Sequence, residues 1–511
     1  MNEIEEDKEQ KQPKRKRSFL RWLFWIFIFL LFLFIAIPVL IHISPVQNWL
    51  VDKVAVNISQ KTSSKVTLDA VDFSVFSGLE LNDLYVSSPE MEEDTLMHVK
   101  ELSTSLTESV LSVFRREVLL DKITLSEATI KIKKQKGDTL TNLRKFLLGF
   151  SSNNEQPSSN KDGLKLDLEQ INFNDVYVEI SDESNDDKTW ISLNKGAVNI
   201  DSFSIKENVY NISNLYLLDP VVTLIKGNHE TIDTKNTQAV EEVIKKQLSL
   251  PVDLRINKLE VVNGQFHLED WNHEKSSLVK ALDYHNLNVN EIHFLAENIK
   301  VSKDFSIEAF VDNMSLQEDS GFGIKNLQVE EFLINRNNVL LSGLDLNLNN
   351  SRVTNYISFQ YNELVDFKDF GKKIKVVSDL KGSVIAVSDL LYFFPELKSK
   401  RFFKQNSNSV LKLSGIVNGN LKNIEADNLR LTIDNKIVLN GSISGRNLHL
   451  PQSALFNMYI DNLNTSMSDL RKVIPGFNPP AQFDKLGPIV FRGDIEGFFN
   501  DLVVYLSLIH I

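Results

Sequence analysis

Residues 22–40 carry no charged side chain and consist almost entirely of Trp, Phe, Leu and Ile. An α-helix needs about 20 such residues to cross the hydrocarbon core of a bilayer. Lys14, Arg15, Lys16, Arg17 and Arg21 stand directly before the run. Basic flanks stay on the cytoplasmic side. The pattern therefore predicts a cytoplasmic tail at 1–21, a single uncleaved anchor at 22–43, and the rest of the chain across the membrane. A cleaved signal peptide would have an apolar core of about 7–15 residues, then small residues at its cleavage site. Ile37-Pro38-Val39-Leu40-Ile41-His42 offers no such site.

The body behind the anchor has the composition of a folded chain. Hydrophobic residues make up 42% and charged residues 24%, while Gly (20) and Pro (13) are too sparse for a low-complexity chain. The chain has no cysteine, so disulfides, thiolate metal sites and cysteine nucleophiles are excluded. Its formal charge is -12, and the first 21 residues contribute +2 (seven Lys/Arg, five Asp/Glu), which leaves -14 on the remainder. Such a body repels phosphate backbones, so no nucleic-acid partner is expected.

Ser44-Pro45 reads as a helix start, and Val46, Trp49, Leu50, Val54 and Ile58 follow at helical spacing. This predicts a juxtamembrane helix at 44–62. From about Lys65 the apolar period changes to two, as in Val66-Leu68-Ala70, and a β-rich region is expected over 63–505. Leu429-Leu431-Ile433 faces Ile437-Leu439 across Asp434-Asn435-Lys436, a hairpin signal. Short helices are expected near 142–150, 238–248, 388–400 and 468–474, and a polar loop at 149–163.

Two internal repeats stand out. Ile123-Thr-Leu125-Ser-Glu127-Ala128-Thr-Ile130-Lys-Ile132 matches Ile171-Asn-Phe173-Asn-Asp175-Val176-Tyr-Val178-Glu-Ile180, and both match Leu259-Glu-Val261-Val-Asn263-Gly264-Gln-Phe266-His-Leu268. Each reads as strand, turn-prone break, strand. In the second repeat, Ser388-Asp389-Leu390 with Pro395 recurs 80 residues later as Ser468-Asp469-Leu470 with Pro475. Ser or Asp would cap each short helix and Pro would end it. Each copy is followed by a glycine pair, Gly415 and Gly419, then Gly493 and Gly497.

Enzyme signatures are absent. There is no Gly-x4-Gly-Lys-Ser/Thr, Gly-x-Gly-x-x-Gly, His-Glu-x-x-His or Gly-x-Ser-x-Gly. His267, His273, His285 and His293 lie near Glu269, Asp270 and Glu274, but at no recognised ligand spacing, so solvated histidines are expected. No catalytic residue, metal or cofactor is expected.

The anchor, Ser44-Pro45-Val46-Gln47, Gly78-Leu-Glu-Leu-Asn-Asp-Leu-Tyr-Val86, Asp94-Thr95-Leu96, Val99-Lys-Glu-Leu102 and the 123–132 unit occur in that order. With the two glycine pairs and Ser468-Asp469-Leu470, they make the chain resemble the AsmA-like superfamily, most closely its TamB-like branch, from residue 19 to about 505. The resemblance implies an inner-membrane anchor in a Gram-negative envelope. It also implies an elongated periplasmic β-sheet curled into a hydrophobic groove that carries phospholipid towards the outer membrane. A scaffold role in outer-membrane protein assembly, with a partner barrel, is the alternative. On that reading Ile130, Ile132, Val178, Ile180, Phe266, Leu268, Leu431 and Ile433 line the groove. Residues 506–511 resemble a non-native tail and otherwise read as an apolar strand.

Overall fold

A computed structural model describes residues 44–74, 78–106, 117–149, 165–204, 207–227, 252–277, 280–450, 452–498 and 501–509. The expected anchor at 22–43 and the expected helix at 238–248 lie outside these residues. Among the described residues no helix is long and apolar enough to cross a membrane.

The protein is mainly β, and its strands form one sheet. Helix α1 (Ser44–Thr62) coincides with the juxtamembrane helix expected from the sequence. It leads into β1 (Val66–Thr67) and β2 (Ala70–Ser74), two pieces of one edge strand that pair with β3 (Gly78–Ser88). Then come β4 (Met91–Leu106), β5 (Glu117–Lys134), β6 (Lys165–Asp182) and β7 (Asp187–Ser204). A second split strand, β8 (Val209–Leu218) and β9 (Val221–Lys226), lies between β7 and β10 (Asp253–Asp270).

An antiparallel meander continues through β11 (Asn286–Ser302), β12 (Ser306–Glu318), β13 (Gly323–Ile334), β14 (Asn338–Leu348) and β15 (Arg352–Gln360). The split pair β16 (Lys375–Asp379) and β17 (Ser383–Ala386) follows. The meander ends with β18 (Val410–Asn420), β19 (Asn423–Ile433), β20 (Ile437–Arg446), β21 (Leu455–Ser466), β22 (Pro488–Phe498) and β23 (Asp501–Ile509). With the split strands counted as one, each strand pairs with its chain neighbours, and among the described residues only β5–β6 and β8/β9–β10 are parallel. Among the described residues β1/β2 and β23 each pair with strands on one side only, so they are the edges of the described sheet.

The 123–132, 171–180 and 259–268 units are not strand-turn-strand. Each lies inside one strand of 18 residues, where the polar break is a bulge-like kink; at Glu127 and Asp175 the paired strands each leave one residue unpaired at the same level. Glu127, Asp175 and Asn263 take φ of 49°, 52° and 55°, and the chain continues without turning back. At Glu127 and Asp175 the kink inserts one residue into the alternation of each strand, while the register between strands runs on unchanged. Leu125 and Ala128, three apart, therefore stay on one face, as do Phe173 and Val176. The first two units pair in parallel, residue for residue, from Ile123 with Ile171 to Ile132 with Ile180.

A further copy, at 215–224, escapes the sequence reading. Leu215, Leu217, Asp219, Pro220, Val222 and Leu224 stand 44 residues before Leu259, Val261, Asn263, Gly264, Phe266 and Leu268, and pair with them except at the bulge. Asp219 (φ 49°) is the bulge residue there, and its carboxylate accepts from Asn263 Nδ2 at 2.7 Å and Asn194 Nδ2 at 3.0 Å.

Besides α1, five short helices are described: α2 (Asn142–Leu148), α3 (Phe370–Lys373), α4 (Val387–Phe393), α5 (Arg401–Gln405) and α6 (Met467–Val473). The 80-residue repeat gives α4 and α6, each followed by a residue whose N–H bonds back, Phe394 to Leu390 O and Ile474 to Leu470 O, just before Pro395 and Pro475. The expected caps move two residues earlier. The N-caps are Ala386 and Ser466, and Ser466 Oγ accepts from Asp469 N–H at 3.1 Å. The hairpin read at Asp434-Asn435-Lys436 is present, with Ile433 opposite Ile437 and Leu431 opposite Leu439. Helices α1, α2, α4, α5 and α6 lie at one rim of the sheet. Helix α3 lies at the other, among the hairpins.

Candidate apolar binding face

Residues directly opposite in paired strands share a face. Following the pairs across β4–β11 places Met97, Ile130, Val178, Ile191, Val222, Phe266 and Val289 in one continuous row. The next row holds Ile132, Ile180, Thr189, Leu224, Leu268 and Leu287. Six of the eight sequence-expected lining residues thus meet in two adjacent rows. Their pairing partners Ile191, Val222, Leu224, Val289 and Leu287 were not singled out from the sequence. Val222 and Leu224 belong to the overlooked fourth repeat, and an offset of 44 was the signal that could have found them.

Side chains in these two rows are only partly covered, whereas Val99, Ala128 and Val176, in the next row of the same face, are buried among their neighbours. In the two rows above, Ile180 is 38% exposed and Ile130, Ile132, Val178, Phe266 and Leu268 are half-buried. Strand β8 contains no buried residue. A sheet closed by a second layer would bury such positions. Among the described residues, the apolar clusters instead gather neighbouring strands and the helices at their ends. The opposite face is mainly polar, although Trp190, Val221 and Ile225 also lie on it. Thr129, Tyr177 and Ser192 lie side by side there, as do Thr223, His267 and Asn288. Lys100 Nζ pairs with Glu127 at 2.7 Å in the open, where it adds little stability.

Leu431 and Ile433 sit elsewhere. They belong to β19, where Ile433 is 9% exposed and packs with Ile437 and Val473. Phe402 of α5 and Leu470 of α6 complete this cluster. Helices therefore cover this part of the face. The same happens over the first strands, where Val66, Val86 and Leu96 pack with Ala55 and Ile58 of α1 and with Leu143 and Phe146 of α2.

The histidine segment also folds into an arrangement its spacing did not reveal. Asp270, 6% exposed, receives His285 Nδ1 at 3.2 Å and His273 Nδ1 at 3.1 Å on one carboxylate oxygen. Burial pushes this carboxyl up. Hydrogen bonds from Asn272 and His285 outweigh it and hold the group well below the usual carboxylate range. The two imidazole rings stack with centroids 3.6 Å apart and planes 16° from parallel. A ligating imidazole holds its metal in the ring plane, and two stacked planes share no such point. As placed, the pair is a clamp on a buried carboxylate at the mouth of the β10–β11 loop. His267 and His293 do not join it.

No protein-family model matches this sequence, and no curated protein matches it.

Proposed function

We propose that this chain is anchored in the inner membrane and carries phospholipid along the apolar face of its sheet, through the periplasm towards the outer membrane. The observation that carries this reading is the apolar face itself, one row of which runs without a polar residue from Met97 of β4 to Val289 of β11 with no second sheet of described residues over it. An acyl chain gains about 0.8 kcal/mol for each CH₂ it buries, and such a face supplies the burial. The polar opposite face leaves one side of the sheet suited to water. The clusters under α1 and α2 close the face near the expected anchor, so the sheet would begin at the membrane surface. The resemblance to AsmA-like proteins points the same way, and a sheet curled lengthwise would shelter the lipid.

Two measurements test this reading. A reporter active only outside the cytoplasm, fused after Lys65, should be active, and activity of a cytoplasm-only reporter there would contradict the topology. With the full chain in donor vesicles, labelled phospholipid should reach acceptor vesicles several-fold faster than with residues 1–62 alone. Equal rates, with the chain inserted and β-rich by circular dichroism, would sink the carrier reading.

A second reading rests on the edge strands of the described sheet. N–H and C=O groups along β2 and β23 that face no described strand could add a partner strand, which suits a scaffold for outer-membrane proteins with a partner barrel.

A further inference from the structure

Two segments reach over the apolar face from opposite rims, and they meet. From the hairpin rim comes the β15–β16 connection, a 3-10 turn (Leu364–Asp369) followed by α3. It is tied down at that rim. Tyr361 Oη donates to Asn335 O at 2.6 Å, and Leu421 N–H donates to Gly371 O at 2.7 Å. From the helical rim comes α4. There Asn350 N–H donates to Asp389 Oδ2 at 2.8 Å, and Leu282 N–H donates to Tyr392 O at 2.9 Å.

The ends of the two segments touch through rings. Phe370 and Phe394 stand with centroids 6.2 Å apart, and Phe370 rests on Phe359 of β15 at 5.7 Å. Phe359 lies opposite Val339 and Val376 on the apolar face. The rings thus run from the floor of the face up to a bridge across it. The bridge is not a sealed core: Phe367, beside Phe370, is 37% exposed, and Phe370 and Phe394 are half-buried. Hydrogen bonds fix each segment at its own rim, whereas ring contacts join them in the middle.

We propose that Phe370 and Phe394 form an aromatic gate that divides the apolar face into two compartments, one on each side of β15–β16. This rests on the lipid-carrier reading. An acyl chain crosses only when Phe370 lifts from Phe359, and apolar rings let it do so without meeting charge. The gate passes the acyl chains of a phospholipid whose headgroup stays in water, and it stops a folded segment.

The chain has no cysteine, so Phe370→Cys with Phe394→Cys introduces its only thiols. A short bifunctional thiol reagent then ties the two segments together. Photo-reactive residues at Val178 and at Met458 report labelled phospholipid in the two compartments of the full chain in vesicles. With free thiols, both positions should capture lipid. After bridging, capture at Val178 should persist and capture at Met458 should fall at least 10-fold. The Phe370→Ala/Phe394→Ala protein should load Met458 at least as fast as the parent. Unchanged capture at Met458 after bridging, with unchanged protease resistance, overturns the gate. Absence of lipid at Val178 in every form overturns the carrier reading itself, and the gate with it.

Discussion

Replacing Val178 or Phe266 with Asp should abolish most phospholipid transfer while leaving the protein present at near-normal levels. Both residues stand in the same row of the apolar face, joined through Ile191 and Val222. In the empty protein an Asp at either site is half-exposed and keeps much of its water. When an acyl chain covers it, that water is lost, at a cost of several kcal/mol. A factor of ten in rate corresponds to about 1.4 kcal/mol, so a fall of at least 10-fold is expected. Tyr177→Asp and Gln265→Asp put the same charge into the same strands on the other face, beside Thr129 and Ser192 or Val221, and should transfer at close to the parental rate. Protein abundance decides between an open face and a closed core. In a closed core the inner-face variants would lose about 3–5 kcal/mol of stability and be degraded.

The second large effect concerns the bulges. Removing Asp175 should unfold the first half of the sheet, whereas Asp175→Gly should be tolerated or stabilise the protein by about 1 kcal/mol. Asp175 has φ 52° and shifts the alternation in step with the unpaired Glu127 and Asn194 beside it, which keeps Phe173 and Val176 on one face. Without it, a one-residue slip turns Val176, Val178 and Ile180 to the polar face. Losing part of the burial of three apolar side chains costs on the order of 3–5 kcal/mol. Thermal unfolding or limited proteolysis reads the difference. Equal behaviour of the deletion and the glycine variant would show that the bulge does not set the register.

Much of the fold was legible because its signals are local. Helix 44–62, the change to period two near Lys65, the Asp434-Asn435 hairpin and the two Pro-terminated helices all follow from neighbouring residues. The break in the 123–132 family was misread as a turn for a physical reason. Asp175 in a bulge has φ 52°, and Asp186 in the β6–β7 hairpin has φ 54°, so the local conformations are almost the same. Cross-strand pairing, which is not local, decides whether the chain carries on or turns back.

The fourth repeat was hidden because Pro220 stands where Gly264 does in its partner, and the strand is split there. Periodicity also assigned Leu431 and Ile433 to a face without showing what covers it. The cover comes from Phe402, Leu470 and Val473, about 30–40 residues away. The Asp270 clamp needed the β10–β11 loop to fold back and bring His285 to His273.

The most direct test of the central claim places a photo-reactive residue at Val178, Phe266, Tyr177 or Gln265, one at a time, in the full chain in living cells. Material captured on ultraviolet illumination is then identified by mass spectrometry. The apolar-face positions Val178 and Phe266 should capture phospholipid at least 10-fold more than Tyr177 and Gln265. Equal capture of lipid on both faces, or capture of protein in place of lipid at Val178 and Phe266, would contradict the account.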